Sequence, residues 1–450
     1  MDCNPSYSLI EKTQHFSFLP RWKTNSWKYS KTFILFSCFT LFFISLVSPA
    51  SSQTLDQAVA ARLDVNCTGL GSLFQGGNVG VNIGANLNAI CAIPGTGTGT
   101  SGGGGAGAVQ STGISVSNST VLKRLEESRG GEEGKEGVVT QHQQQGLNVS
   151  VESGRIWNSL GLFASGNVEY LGRDITPFQN GYNSTILGLT GGADYRFSDK
   201  ILGGVAFTFQ NQNGDFKNSG GAFSRNGLGG TLFASFLPTQ KTFIQIVGGF
   251  TRNNHNVSRA VSYLNTNGNR PVNISGSSSN NSYSNVFTTS VLAGYDHFVS
   301  KVTVGPRVGL NYSNTQIQDY RETGGSGLAL VYDDQWINSF QSVLGLVASM
   351  PFSTGIGVFL PQISADYIHE FANSQRFITV HFAEDLRATP TRFKFQTDKP
   401  VRNFFNLAFG VSAVLPHGIQ PFANFRAMVG NEQFTNYAGT FGIRVELGAT

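Results

Sequence analysis

Asp333 and Asp334 stand together in "YDDQ" and His369 follows in "ADYIHEF", the nearest this chain comes to a catalytic constellation. An imidazole that takes a proton from water, with a carboxylate to orient it, is a general-base device for hydrolysis. Nothing nearby in the sequence strengthens that chemistry. There is no GxSxG elbow between a strand and a helix, no GxxxxGK[ST] loop and no HExxH, and the 7 histidines lack metal-ligand spacing. The reading adopted for the aspartates is a structural loop, with no enzyme, no cofactor and no metal.

A second set of polar residues poses a different problem. Arg307 sits in "KVTVGPRVGLNY" (301–312) among valines, a leucine and a tyrosine, with no acid in the stretch. An unpaired guanidinium is expensive to bury. Parity resolves this, because successive strand side chains point to opposite faces. Val302, Val304, Pro306, Val308, Leu310 and Tyr312 share one face; Thr303, Gly305, Arg307, Gly309 and Asn311 share the other. In "PFANFRAMV" the polar parity holds Asn424 and Arg426, and in "TFGIRVEL" it holds Arg444 and Glu446. Asp194, Asp296 and Asp366 fall on the polar parity of their strands as well. Charges of both signs thus share one face with many glycines and serines, while the opposite face is aliphatic and aromatic. A soluble sandwich would carry abundant Lys and Glu outside, yet only 13% of residues are charged. A wet lumen behind a lipid-facing wall accounts for the pattern.

The elements that would position these residues run strand after strand from about residue 158 to Leu447. Their connections alternate between two classes. The short ones are 197–200, 237–241, 298–301, 351–355 and 415–418; the long, polar ones are 171–183, 213–222, 254–281, 317–335, 372–402 and a brief one near 431–435. Five short and six long connections require twelve strands with both chain ends on the short-turn side, as in an up-and-down barrel. Tyr195, Phe197, Phe236, Phe298 and Phe352 flank the short turns as an interfacial girdle would. Pro306, Pro361 and Pro421 resist the scheme, since each lacks a ladder N–H and a closed barrel offers no free edge. Water or a bulge near the tight turns is the expected compensation.

Ahead of the strands, Arg21, Lys23, Lys28 and Lys31 precede an apolar run over 32–47 and then "SPASSQ". As a helix that run spans roughly 24 Å, short of the ~30 Å hydrocarbon core, so residues 1–50 read as a signal peptide cleaved after Ala50 or Ser52. Residues 1–50 hold five of the 31 basic side chains and two of the 27 acidic ones, which leaves the remainder nearly neutral and argues against nucleic acid. Cys67 and Cys91 remain as an even pair in an exported chain and are expected to form a disulfide bracketing a short segment, 51–93. A Gly/Ser-rich linker (94–118) follows, then a short charged helix over 119–131 capped by Ser117 or Ser119, and a further linker (132–157). Alone, such a helix is marginal and needs a container.

"GLFASGNVEYLGRD" (161–174), "LGLTGGADYRFSDK" (187–200), "TVGPRVGLNY" (303–312), "YRETGGSGLALVYDDQ" (320–335), "LPQISADYIHEF" (360–371) and "FFNLAFGVSAVLPHG" (404–418) together resemble the translocator β-domain of the autotransporters of type V secretion. The resemblance implies an all-β fold: a twelve-stranded antiparallel up-and-down transmembrane β-barrel (158–450), with a short N-terminal pore helix and a small Gly-rich N-terminal segment. Lys123, Arg124, Glu126, Glu127 and Arg129 would meet a mixed-charge lumen wall. It further implies a monomeric barrel in the bacterial outer membrane, surrounded by lipid, inserted by the barrel-assembly machinery with periplasmic chaperones, and translocating or displaying residues 51–118 as an unusually short passenger. The alternative is a plugged barrel acting as a surface antigen, adhesin or small pore with no secreted product.

Overall fold

The computed structural model describes residues 98–101, 160–176, 178–239, 241–265, 272–372 and 374–447. The leader, Cys67 and Cys91, and the charged helix of 119–131 lie outside the described residues. Twelve antiparallel strands carry the fold: β1 Leu160–Arg173, β2 Tyr182–Ser198, β3 Ile201–Phe216, β4 Gly221–Thr239, β5 Thr242–Asn265, β6 Val272–Tyr295, β7 Val302–Ile317, β8 Gln335–Ser349, β9 Gly357–Glu370, β10 Asn403–Val414, β11 Ile419–Val429 and β12 Phe434–Glu446. Neighbours in sequence are neighbours in the sheet. The ribbon closes where β1 meets β12, from Gly161↔Glu446 to Arg173↔Phe434. Closure leaves no edge, so backbone groups facing hydrocarbon are paired within the sheet.

Burial alternates along the strands, and the exposed parity is the greasy one. Leu189, Phe207, Leu228 and Leu232 are each about two-thirds exposed, while Ser184, Thr190, Asp194 and Thr208 on the opposite parity are buried. An apolar band of this extent on a water-soluble surface would aggregate. The outward positions from Ile201 to Phe209 on β3, and from Leu228 to Phe236 on β4, are apolar, Gly or Ala. That length matches the ~9–11 residues a tilted strand needs to cross a bilayer.

Two connections expected to be long are short. The 213–222 stretch contracts to Lys217–Gly220, because β3 continues to Phe216 and β4 starts at Gly221. Asn218 and Ser219 both have φ of 57°, and the Gly220 amide donates to the Lys217 carbonyl at 3.2 Å, a type I′ turn of the kind that suits a twisted hairpin. Likewise 254–281 is mostly ladder, since β5 runs to Asn265 and β6 begins at Val272. Polarity there marks where the strands leave lipid, not where pairing stops, because a ladder needs only backbone groups. Thr98–Ser101, within the stretch read as a linker, adds antiparallel to β5 from Thr98↔Leu264 to Ser101↔Val261.

The prolines need no bulge. Each interrupts one of its two ladders without changing the register: pairing runs from Arg307↔Gly294 to Val304↔His297 across Pro306, the Met350 amide donates to the Pro361 carbonyl beyond Gln362↔Ser349, and the Leu415 amide donates to the Ile419 carbonyl beyond Phe422↔Ser412. On their other sides they stay in register with Leu346, Val411 and Ile443. Each proline therefore costs the ladder one donor, and the pairings on either side hold the register.

The loops 317–335 and 372–402 carry a second sheet, ordered Tyr320–Arg321, Leu330–Tyr332, Phe377–Phe382 and Phe393–Gln396.

Candidate functional site

The inner wall is where the charged residues converge. Arg307 is 9% exposed and forms a bidentate pair with Asp366, Nε to Oδ1 at 2.8 Å and Nη2 to Oδ2 at 2.7 Å. The two belong to β7 and β9, with β8 between them. The β8 residue opposite both is Gly345, and a Cβ there would lie 2.0 Å from Asp366 Oδ1. The pair passes over the strand because that residue has no side chain.

The same device recurs at the seam. Asp194 of β2 and Arg444 of β12 pair across β1, Nη2 to Oδ1 at 2.6 Å and Nε to Oδ2 at 3.2 Å. Beneath them is Gly161, where a Cβ would come within 2.4 Å of the guanidinium. Glu446 stands 3.5 Å from Arg444 and Gln420 accepts a further bond at 3.4 Å. Arg426 donates to Asn436 at 3.2 Å and lies 3.9 Å from Glu169, which itself accepts from Asn436 at 2.6 Å. Asn424 donates to the Phe409 carbonyl at 3.0 Å, and Asp296 is buried close against Gly305. A cavity of about 160 Å³ is lined by Glu169, Arg307, Asp366, Asn406, Asn424 and Arg426. Paired charges around a cavity large enough for several waters make this stretch of the inner wall polar.

Toward the long loops the inner wall turns apolar. Leu171, Tyr182, Ile186, Phe216, Phe223 and Val257 cluster with Leu330, Tyr332, Val380 and Phe395 of the loop sheet, all buried. Two ion pairs tie that sheet to the wall. Arg259 of β5 donates through Nε to Glu322 Oε1 at 3.0 Å, both side chains being 1% exposed. Glu322 also accepts from the Leu330 amide at 3.0 Å and the Tyr332 hydroxyl at 3.4 Å, and burial pushes that phenol well above its ordinary value, with the carboxylate adding to the shift. Across the opening, Arg173 of β1 pairs with Asp398. Arg376 beside it is lowered to about 10, by burial and then by Arg173. The loop sheet sits in the mouth of the barrel as a folded lid.

Asp333, Asp334 and His369 are not assembled into a site. Asp333 accepts from Arg392 at 2.8 Å, Asp334 accepts from the Asp319 amide at 2.7 Å, and His369 shares a 2.7 Å bond with Asn403 and meets Phe371 edge-on. Sequence reasoning passed over Gly161, Gly345 and Glu169. Glu169 was visible as the polar-parity acid of "SGNVEY". Arg259, Glu322, Arg173 and Asp398 carried no local signal, since their partners come from loops far along the chain.

The sequence matches the Autotransporter beta-domain family over residues 162–426. Outer membrane protein A of Rickettsia conorii is 25% identical over 277 residues, covering 59% of this chain and 13% of that protein. Lipase 1 of Photorhabdus luminescens is 23% identical over 154 residues, 34% of this chain and 23% of the lipase. The chain therefore spans only a minor part of these curated relatives. Among solved structures, the translocator domain of the autotransporter NalP from Neisseria meningitidis aligns with a TM-score of 0.48 at 12% identity, over 73% of this chain and 97% of that one.

Proposed function

The chain belongs to the autotransporter β-domain family, and we propose that its barrel anchors in the outer membrane and translocates or displays the preceding segment, residues 51–118, at the cell surface. The observation that carries this reading is the bore itself. A closed twelve-stranded barrel with a polar, internally paired wall can pass or hold a chain without trapping it on greasy surface. One helix is ~10–12 Å across with side chains, and a barrel of this size lies between side-chain-filled and open-channel ones. In this proposal residues 119–131 thread the bore and set Lys123, Arg124, Glu126, Glu127 and Arg129 against the Asp194–Arg444 and Arg307–Asp366 pairs. Cys67 and Cys91 bridge the displayed segment. Periplasmic chaperones and the barrel-assembly machinery deliver the chain, and the barrel catalyses nothing.

Protease treatment of intact cells, followed with an antibody against residues 67–91, tests the export step. Loss of that epitope without permeabilisation is the expected result. An epitope protected until the outer membrane is breached overturns it.

A further inference from the structure

On the outward face, the apolar band ends in a repeated way. Two residues past its last greasy side chain, toward the long loops, β3 places Asn211 after Phe209 and β4 places Asn226 after Leu228. Asn314 and Asn403 occupy the same position on β7 and β10, whereas on β6 and β8 Asn285 and Asn338 lie between two exposed aromatics, Phe287 and Tyr283 on β6 and Phe340 and Trp336 on β8. Several of these amides are paired across neighbouring strands: Asn211 donates to Asn226 at 2.7 Å, Asn314 to Asn338 at 2.6 Å, and the Tyr367 hydroxyl to Asn403 at 2.7 Å. On β5 the equivalent position after Phe250 is Arg252, exposed, with its guanidinium 5.2 Å over the Tyr283 ring. Register sets Arg252 between Leu228 and Asn285, and the next outward residue, Asn254, between Asn226 and Tyr283. The outward acid of β3, Asp215, stands two outward positions beyond Asn211.

The end of the apolar band is the boundary between hydrocarbon and headgroups, and the long-loop side faces the exterior. Anionic phospholipid headgroups are ordinarily met by clustered Lys and Arg. Here the boundary is neutral amide with one cation. Asparagines both donate and accept, and strands ~4.8 Å apart repeat them at a spacing suited to successive sugar hydroxyls. A guanidinium fork fits a phosphate. We propose that this face binds a phosphorylated glycolipid of the outer leaflet: acyl chains on Phe209, Leu228 and Phe250, sugar hydroxyls on Asn211, Asn226 and Asn254, and phosphate on Arg252. The proposal rests on the outer-membrane placement of the barrel and not on export of any segment.

The test uses the full chain in neutral detergent, titrated with lipid A, with phosphatidylglycerol and with glucosamine 1-phosphate, reading the thermal midpoint by heat-modifiable gel mobility. Lipid A is expected to bind about tenfold more tightly than phosphatidylglycerol, a margin carried by the sugar contacts, and Arg252→Met to weaken both lipids about tenfold, since both offer a phosphate to the guanidinium fork. Arg252→Lys keeps the charge without the fork and should retain part of both affinities. Asn226→Ala with Asn254→Ala should weaken lipid A and leave phosphatidylglycerol unchanged. Equal response to both lipids, full lipid A binding by Arg252→Met, or an equal shift from glucosamine 1-phosphate alone overturns the proposal.

Discussion

Gly345→Ala is the smallest change that should dismantle a lumen ion pair without touching either charge. A methyl at this position lies 2.0 Å from Asp366 Oδ1 and 2.9 Å from Arg307 Nε. Neither distance is tolerable, so the carboxylate and the guanidinium must part. Against this, Ala is favoured over Gly within a strand by roughly 0.5–1 kcal/mol. Removing one partner of a buried pair costs ~3–5 kcal/mol. The Arg307 and Asp366 side chains are 7% and 16% exposed and border a cavity, so water offsets part of that loss. A net destabilisation of ~2–3 kcal/mol follows from these terms. Arg307→Met should cost a similar amount. The decisive measurement is the double variant. With the arginine gone, the carboxylate is free to swing away, and Gly345→Ala should then cost about 0.5 kcal/mol or less, a coupling of ~2 kcal/mol. Urea unfolding in detergent micelles, followed by circular dichroism and by gel mobility, measures each term. Additive losses, or a neutral Gly345→Ala, would refute the claim that the pair depends on this glycine.

The lid supplies two further predictions. Glu322→Gln leaves the buried Arg259 guanidinium without its counter-charge, a loss of ~3–5 kcal/mol to lid docking, so trypsin should cut at Arg387 or Arg392 faster and bilayer conductance should rise; unchanged rates would contradict the latch. Acid should loosen the same sheet. His381 is held below its ordinary 6.5, by burial first and then by Arg392 and Arg321, with Asp333 and Asp385 opposing. The unfolded loop then takes up a proton before the folded one does, so stability declines as pH falls below about 6.5. Asp385 adds to this at lower pH: burial opposes its ionisation, but Arg387 and the Thr391 amide outweigh burial and hold it below 3.8, and that stabilisation is lost as pH falls through this range. Hydrogen-exchange protection at Ile378 and Val380, taken relative to the intrinsic amide rate at each pH, should fall between pH 7.5 and 5.5, and much less so in His381→Gln; identical profiles would remove the histidine from the explanation.

The family likeness and the strand count were readable because both depend on local order. Alternation at Arg307 needs only neighbouring residues, and the alternation of short and long connections needs only the order of the chain. The 213–222 and 254–281 stretches misled for a physical reason: asparagine and serine extend a ladder readily once the strand has left lipid. The lid was invisible because its strands, such as Tyr320–Arg321 and Leu330–Tyr332, are too short to display a period.

The sequence by itself determined that this chain makes a ribbon with one greasy and one polar face and twelve passes, since side-chain parity and turn spacing are local properties. Only the tertiary structure decided which charges meet. Arg307 finds Asp366 59 residues away and Arg444 finds Asp194 250 residues away, because closure and strand stagger bring distant residues level. The glycines between them let the pairs cross a strand, a requirement that exists only once three strands lie side by side.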